Sequence, residues 1–187
     1  MTRMLARNEA AVAAMAAGCA LLVARPLALR TTADPTALLA ALFVVLLAVG
    51  LAWPVRPGAG AVTGAHVGTA AVAAAGMTAF AVGRLVGWPG IAAVSSRFVV
   101  LNCLAAVAEE AFFRRLVYAA LERHGPALAV AGSTVLFAMV HLTVYGMWAM
   151  PIDLAAGLLL GWQRWATGSW RVPAVTHVVA NLLMVLP

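Results

Sequence analysis

Ala108-Glu109-Glu110-Ala111-Phe112-Phe113-Arg114-Arg115-Leu116 lies in the middle of an otherwise apolar run from Phe98 to Leu121. A helix of roughly 20 apolar residues crosses a bilayer, so the run is long enough to span one. Two adjacent carboxylates near the centre of such a helix cost about 2.5–3.5 kcal/mol each on insertion scales, which requires a partner for the charge or a use for it. Helical geometry separates the two acids. Glu110 and Arg114 are four apart and share a face, so they can pair. Glu109 points about 100° away from Glu110, with no cation on its own face. A carboxylate without a partner in a dry site is the better candidate for acid–base chemistry, and a paired one the better structural group. Asn102 lies on nearly the same face as Glu109, and Phe113 is placed to wall it.

Composition sets the class. The chain has 187 residues, 65% hydrophobic and 10% charged, with a mean hydropathy of +1.00. A soluble domain carries about a quarter charged residues. The expectation is an all-α polytopic membrane protein, about seven transmembrane helices in one bundle, forming a single integral-membrane domain over 1–187. All twelve basic residues are arginine, scattered through short loops with no run that suggests nucleic acid. The composition looks bacterial and points to the inner, cytoplasmic membrane. Cys19 and Cys103 fall inside apolar helices and are expected as free thiols.

The spans read as Ala10–Leu29, Thr36–Val55, Ala61–Val82, Phe98–Leu121, Pro126–Thr143, Pro151–Trp162 and Val172–Leu186. Arg3 and Arg7 before the first span resemble a signal peptide, but Arg25 and further apolar spans follow, so it reads as an uncleaved helix. Pro26 is expected to end it early. His66 reads as a satisfied core histidine, Trp88-Pro89-Gly90 as a loop or re-entrant piece, His124 as a solvated loop residue, and Asp153 as an interfacial acid. Seven spans place Trp88 and Trp148 at one membrane face and Trp53, Trp162, Trp165 and Trp170 at the other, as aromatic belts require. With the N-terminus inside, arginines at span ends divide six to four in favour of the cytoplasmic side.

Three late helices carry polar residues at helical spacing: Glu109-Glu110 with Arg114, Phe137 with His141, and His177 with Asn181. A carboxylate, two imidazoles and an amide supply a base for water and donors for an oxyanion. In this order and spacing the three motifs resemble those of the CPBP family, the CAAX-prenyl and bacteriocin-processing intramembrane proteases. The resemblance covers about 98–186, the catalytic core helices; the first three spans contribute only hydrophobicity to it. It implies an intramembrane endopeptidase in which Glu109 and His141 activate water. His177 and Asn181 would hold the water or the oxyanion, and Glu110, Arg114 and Phe137 would shape the site. The implied partners are the bilayer and a protein or peptide with a membrane-associated segment, cleaved near its C-terminus or anchor. No cofactor is expected.

Competing readings are a zinc protease using the same carboxylate and histidines, a non-catalytic immunity or scaffold protein that binds a peptide, and a small transporter. No His-Glu-x-x-His motif is present, and the internal repeats usual in transporters are not seen. Depth leaves one question open. Glu109 and His141 lie roughly 18 and 23 Å from the ends joined by the Glu122–Gly125 turn, but His177 lies only roughly 9 Å beyond Arg171. Either the last helix starts deep or the preceding loop dips inward.

Overall fold

The structure is a computed structural model that describes residues 2–53, 68–86 and 95–185, with side chains from residue 9 onward. His66 and Trp88-Pro89-Gly90 lie outside the described residues, so their expectations go unexamined. Everything regular among the described residues is helical. The helices are α1 (Thr2–Val23), α2 (Arg25–Thr31), α3 (Thr36–Ala52), α4 (Thr69–Leu85), α5 (Ser96–Glu110), α6 (Tyr118–Leu121), α7 (Pro126–Tyr145), α8 (Met150–Thr167) and α9 (Arg171–Met184). A π-helical turn, Ala111–Val117, joins α5 to α6. With α1–α2 and α5–α6 each counted as one interrupted rod, seven helical rods remain among the described residues, at the positions of the seven expected spans. Two of them, Glu9–Thr31 and Pro126–Tyr145, are long and apolar enough to cross a membrane; Thr36–Ala52 and Thr69–Leu85 are apolar but shorter.

Proline and glycine set the boundaries. Pro26 has no N–H to return to Leu22, so the first rod breaks at Ala24 and restarts as α2 with Pro26 in its first turn. At the start of α3, Asp34 accepts the Thr36 N–H at 3.0 Å. Hydrogen bonds from Thr36 hold the Asp34 carboxyl below its ordinary value. Gly125, at φ 107°, takes the chain from the Glu122–His124 turn into α7, in a backbone conformation that L side chains rarely adopt. Cys19 and Cys103 are free thiols.

The rod carrying the two glutamates is the axis of the molecule. From α5 through the π turn it touches α1, α3, α7, α8 and α9. Consecutive residues Ala111, Phe112 and Phe113 are therefore all fully buried, although they point in different directions. In the π turn the Tyr118 N–H reaches back five residues to the Phe113 carbonyl. The widened turn is accepted by two small-residue notches. Gly18 of α1 lies against the Phe112 ring, and Gly50 of α3 lies against the Ala111 backbone. Arg115 then donates to the Gly50 and Leu51 carbonyls, satisfying groups that the end of α3 would leave without partners.

A Cβ on Gly50 would sit 2.6 Å from the Ala111 carbonyl carbon, a contact with backbone that cannot swing aside. Gly50→Ala is expected to lower stability by about 1–3 kcal/mol, the usual cost of overpacking. Thermal unfolding of the purified protein measures it. An unchanged midpoint would mean that α3 can slide away from the π turn at no cost.

Arginine contacts anchor the end of the α8–α9 hairpin. Arg164, three residues from the end of α8, donates to the Arg114 carbonyl at 3.0 Å and lies 4.7 Å from the Tyr118 ring centroid. Arg114 is roughly 10 Å along the helix from Leu121, so this contact ties the end of α8 to the π turn. Buried Gln163 fixes the same corner, donating to the Val72 carbonyl and to Thr176 Oγ1. The Trp53, Trp162 and Trp165 helix ends thus meet near Arg114 and Arg115, while Trp148 lies at the far end of α7, 94% exposed.

Candidate active site

The two glutamates diverge into separate hydrogen-bonded groups. Glu110, fully buried, faces Arg114 Nε at 3.3 Å through Oε2 and accepts from His177 Nδ1 at 3.0 Å through Oε1. The Arg114 guanidinium is itself fully buried; Nη2 donates to the Gly157 carbonyl at 3.2 Å, and the group lies 4.9 Å from the centroid of the Phe137 ring. Absence of a Cβ at Gly157 lets α8 come within contact of Thr134 there. The pairing expected from four-residue spacing is present, with His177 as a third member that spacing did not reveal.

Glu109 is 3% exposed and faces the other way. Its Oε2 lies 3.6 Å from His141 Nε2. Its Oε1 accepts a hydrogen bond from Arg25 Nη1 at 3.0 Å. The expectation that Glu109 lacks a cationic partner is corrected here. The cation comes from α2, at the break that Pro26 imposes, and not from its own helix. Arg25 was read only as the flank of the first span, yet it lies inside the apolar stretch Glu9–Thr31. An arginine within such a stretch marks a functional hypothesis, and that signal was available in the sequence.

The His141 ring is oriented by its own helix. Nδ1 lies 2.7 Å from the Phe137 carbonyl. A carbonyl only accepts, so Nδ1 carries a proton, and Nε2 is the nitrogen that His141 presents to Glu109. Phe137 packs against His141 at 4.3 Å between centroids and edge-on to His177 at 5.9 Å. Phe137, not Phe113, walls the site; Phe113 instead sits behind it, edge-on at 5.5 Å.

Glu109, His141, His177, Asn181 and Phe137 all line one cavity of about 290 Å³, together with Arg25 and Asn102. Glu110 and Arg114 do not line it. Asn181 Nδ2 donates to the Asn102 carbonyl at 3.1 Å, tying α9 to α5. Asp153, near the start of α8, lines the same cavity. The remaining lining is largely apolar, including Phe80, Phe98 and Leu160. Among the described residues no cluster of three or more His, Cys, Asp and Glu has the arrangement of a metal site. Glu109 with His141 and Glu110 with His177 are separate pairs.

A buried carboxylate and an oriented imidazole that open on one cavity can take a proton from water and return it to a leaving group. Residues 91–183 match the family model described as type II CAAX prenyl endopeptidase Rce1-like. Through this segment the chain belongs to that family of membrane endopeptidases. No curated protein and no solved structure matches it. The matched segment contains the three motifs and excludes Arg25.

Proposed function

We propose that this protein is an integral-membrane endopeptidase of the bacterial inner membrane, with water as nucleophile and Glu109 and His141 as the groups that activate it. Its substrate is a protein or peptide with a membrane-associated segment, cut near its C-terminus or anchor. The observation that carries this is the 3.6 Å approach of Glu109 Oε2 to His141 Nε2 on the cavity wall. Such a gap is longer than a direct hydrogen bond and suits two acceptors sharing one water. The water oxygen bonds to the scissile carbonyl carbon while its proton passes to Glu109. The carbonyl π pair moves onto oxygen. When that pair returns, the C–N bond breaks and the proton held by Glu109 passes to the leaving nitrogen. The largely apolar cavity wall suits a substrate held in or against the bilayer, and membership of a membrane-endopeptidase family favours the same setting.

The reaction is assigned to carboxylate and imidazole without a metal on the approach of Glu109 to His141; the Nδ1 contacts to the Phe137 carbonyl and to Glu110 orient both rings and would orient metal ligands equally, so chelation decides between the two. Purified protein is expected to cleave a membrane-associated peptide and to keep full turnover after exhaustive chelation, with elemental analysis of the same sample. Stoichiometric zinc, with activity lost on its removal and restored on its return, would sink the metal-free assignment. Peptide binding without cleavage would sink the endopeptidase reading and favour a scaffold.

A further inference from the structure

Asp153 is a cavity carboxylate that water activation does not use. It is half-buried and lines the cavity, and it has no hydrogen bond or ion pair among the described residues. Its place in the first turn of α8 suits an acid, since the positive end of the helix dipole lies there. No side-chain hydrogen bond caps that helix, however, so the local backbone does not engage the carboxylate.

Packing between α7 and α8 sets its depth. Gly157 lies against Thr134, and Gly161 against Val130, which fixes an antiparallel register. One turn nearer the start of α8, Asp153 comes level with Ala138, within roughly 5 Å along the axis of His141. Asp153, Ala156 and Leu160 share one face of α8, and all three line the cavity. The groups whose charge bears on Asp153 are His141, Glu109, Arg25 and His177. Each of them already has a partner: Glu109 lies between Arg25 and His141, and His177 turns to Glu110. Arg84, also on the cavity wall, donates to the Leu183 carbonyl near the end of α9. Asp153 thus presents a negative charge to a largely apolar space, close to the level of the water-activating pair.

We propose that Asp153 selects the substrate, by accepting a hydrogen bond from a lysine or arginine side chain carried within about two residues of the scissile bond, at ~3.5 Å of extended chain per residue. This deepens the endopeptidase reading above and rests on it. A carboxylate partly withdrawn from water is stabilised by a cation beside it, and a hydrogen bond between ionised groups is roughly twice as strong as a neutral one. A neutral side chain at that position leaves the carboxylate unpaired, and an acidic one sets like charges together. One group therefore both attracts basic substrates and rejects acidic ones.

The test uses the full chain in detergent and a series of membrane-associated peptides, identical except that each position flanking the cut carries lysine, norleucine or glutamate in turn. At one of these positions the wild-type protein is expected to show a kcat/KM about 10–100-fold higher for lysine than for norleucine, the discrimination that one hydrogen bond between charged groups supplies. Glutamate there is expected to be cleaved more slowly still. Asp153→Asn keeps the shape and removes the charge, and should bring the lysine-to-norleucine ratio close to one. Both peptides meet the same variant, so a partial loss of folded protein cancels from the ratio and a purely structural role would not move it. If Asp153→Asn does not fold, Asp153→Ser supplies the same ratio. Equal rates on lysine and norleucine peptides in the wild-type protein, or a lysine preference that survives removal of the carboxylate, overturn the proposal. So does an equal loss of kcat on every peptide in Asp153→Asn, which would place Asp153 in the proton chemistry instead. Absence of cleavage across the whole series overturns the endopeptidase reading and this inference with it. Cleavage without charge preference overturns this inference alone.

Discussion

Glu109→Gln is expected to lower turnover by about 10²–10⁴-fold, the contribution of a positioned general base, while the protein still folds. The substitution is nearly isosteric. An amide oxygen at the Oε1 position still accepts the Arg25 hydrogen bond that the carboxylate accepts at 3.0 Å. What is lost is the basic oxygen facing His141 Nε2 at 3.6 Å. His141 alone then remains to take the water proton, its Nδ1 held by the Phe137 carbonyl. A single-turnover assay with purified protein separates chemistry from substrate binding, and thermal unfolding monitors the fold. Near-normal turnover in the variant would remove Glu109 from the mechanism. Loss of folding would show that Arg25 needs the charge, despite the Phe43 and Tyr145 rings beside it.

The sequence made some of this site legible and concealed the rest for identifiable reasons. Spacing along one helix is a local property, so the Glu110–Arg114 pair and the separation of Glu109 from Glu110 could be read directly. The motifs on three helices named the residues that line the cavity, because an imidazole or amide inside an apolar helix has few other uses. Pairing between helices is not local. Nothing in the spacing of His177 and Asn181 says that the first turns to Glu110 and the second to the Asn102 carbonyl. Arg25 escaped notice because its position beside Pro26 resembled the end of a span; the proline instead breaks the helix at the depth of the site. The π turn was illegible for a different reason. Its residues, Ala111–Val117, read as ordinary helix, and only the glycine notches on α1 and α3 give the wider turn its room. Asp153 was read by its place near a helix start, and spacing alone did not tell that this start also borders the cavity.

Arg114→Ala is expected to cost about 3–5 kcal/mol, the penalty for breaking a buried ion pair and leaving one charge behind. Glu110 and Arg114 are both fully buried, so solvent does not screen the change. The guanidinium also gives a hydrogen bond to the Gly157 carbonyl and covers the Phe137 ring. Its removal therefore loosens α8 and the aromatic wall behind His141 as well as the charge pair. His177 offsets part of the loss, since its Nδ1 remains on Glu110. A double variant, Glu110→Leu with Arg114→Met, distinguishes the causes. Replacing a buried pair with apolar side chains of similar volume is often neutral for stability, so most of the loss in thermal midpoint is expected to return. Activity is not expected to return with it, because His177 would lose the carboxylate that holds its ring against α5. Full stability in Arg114→Ala alongside lost activity would give Arg114 a direct part in catalysis, although it does not line the cavity. Recovery of both stability and activity in the double variant would instead make the Glu110 side of the site dispensable, leaving Glu109 and His141 as its working parts.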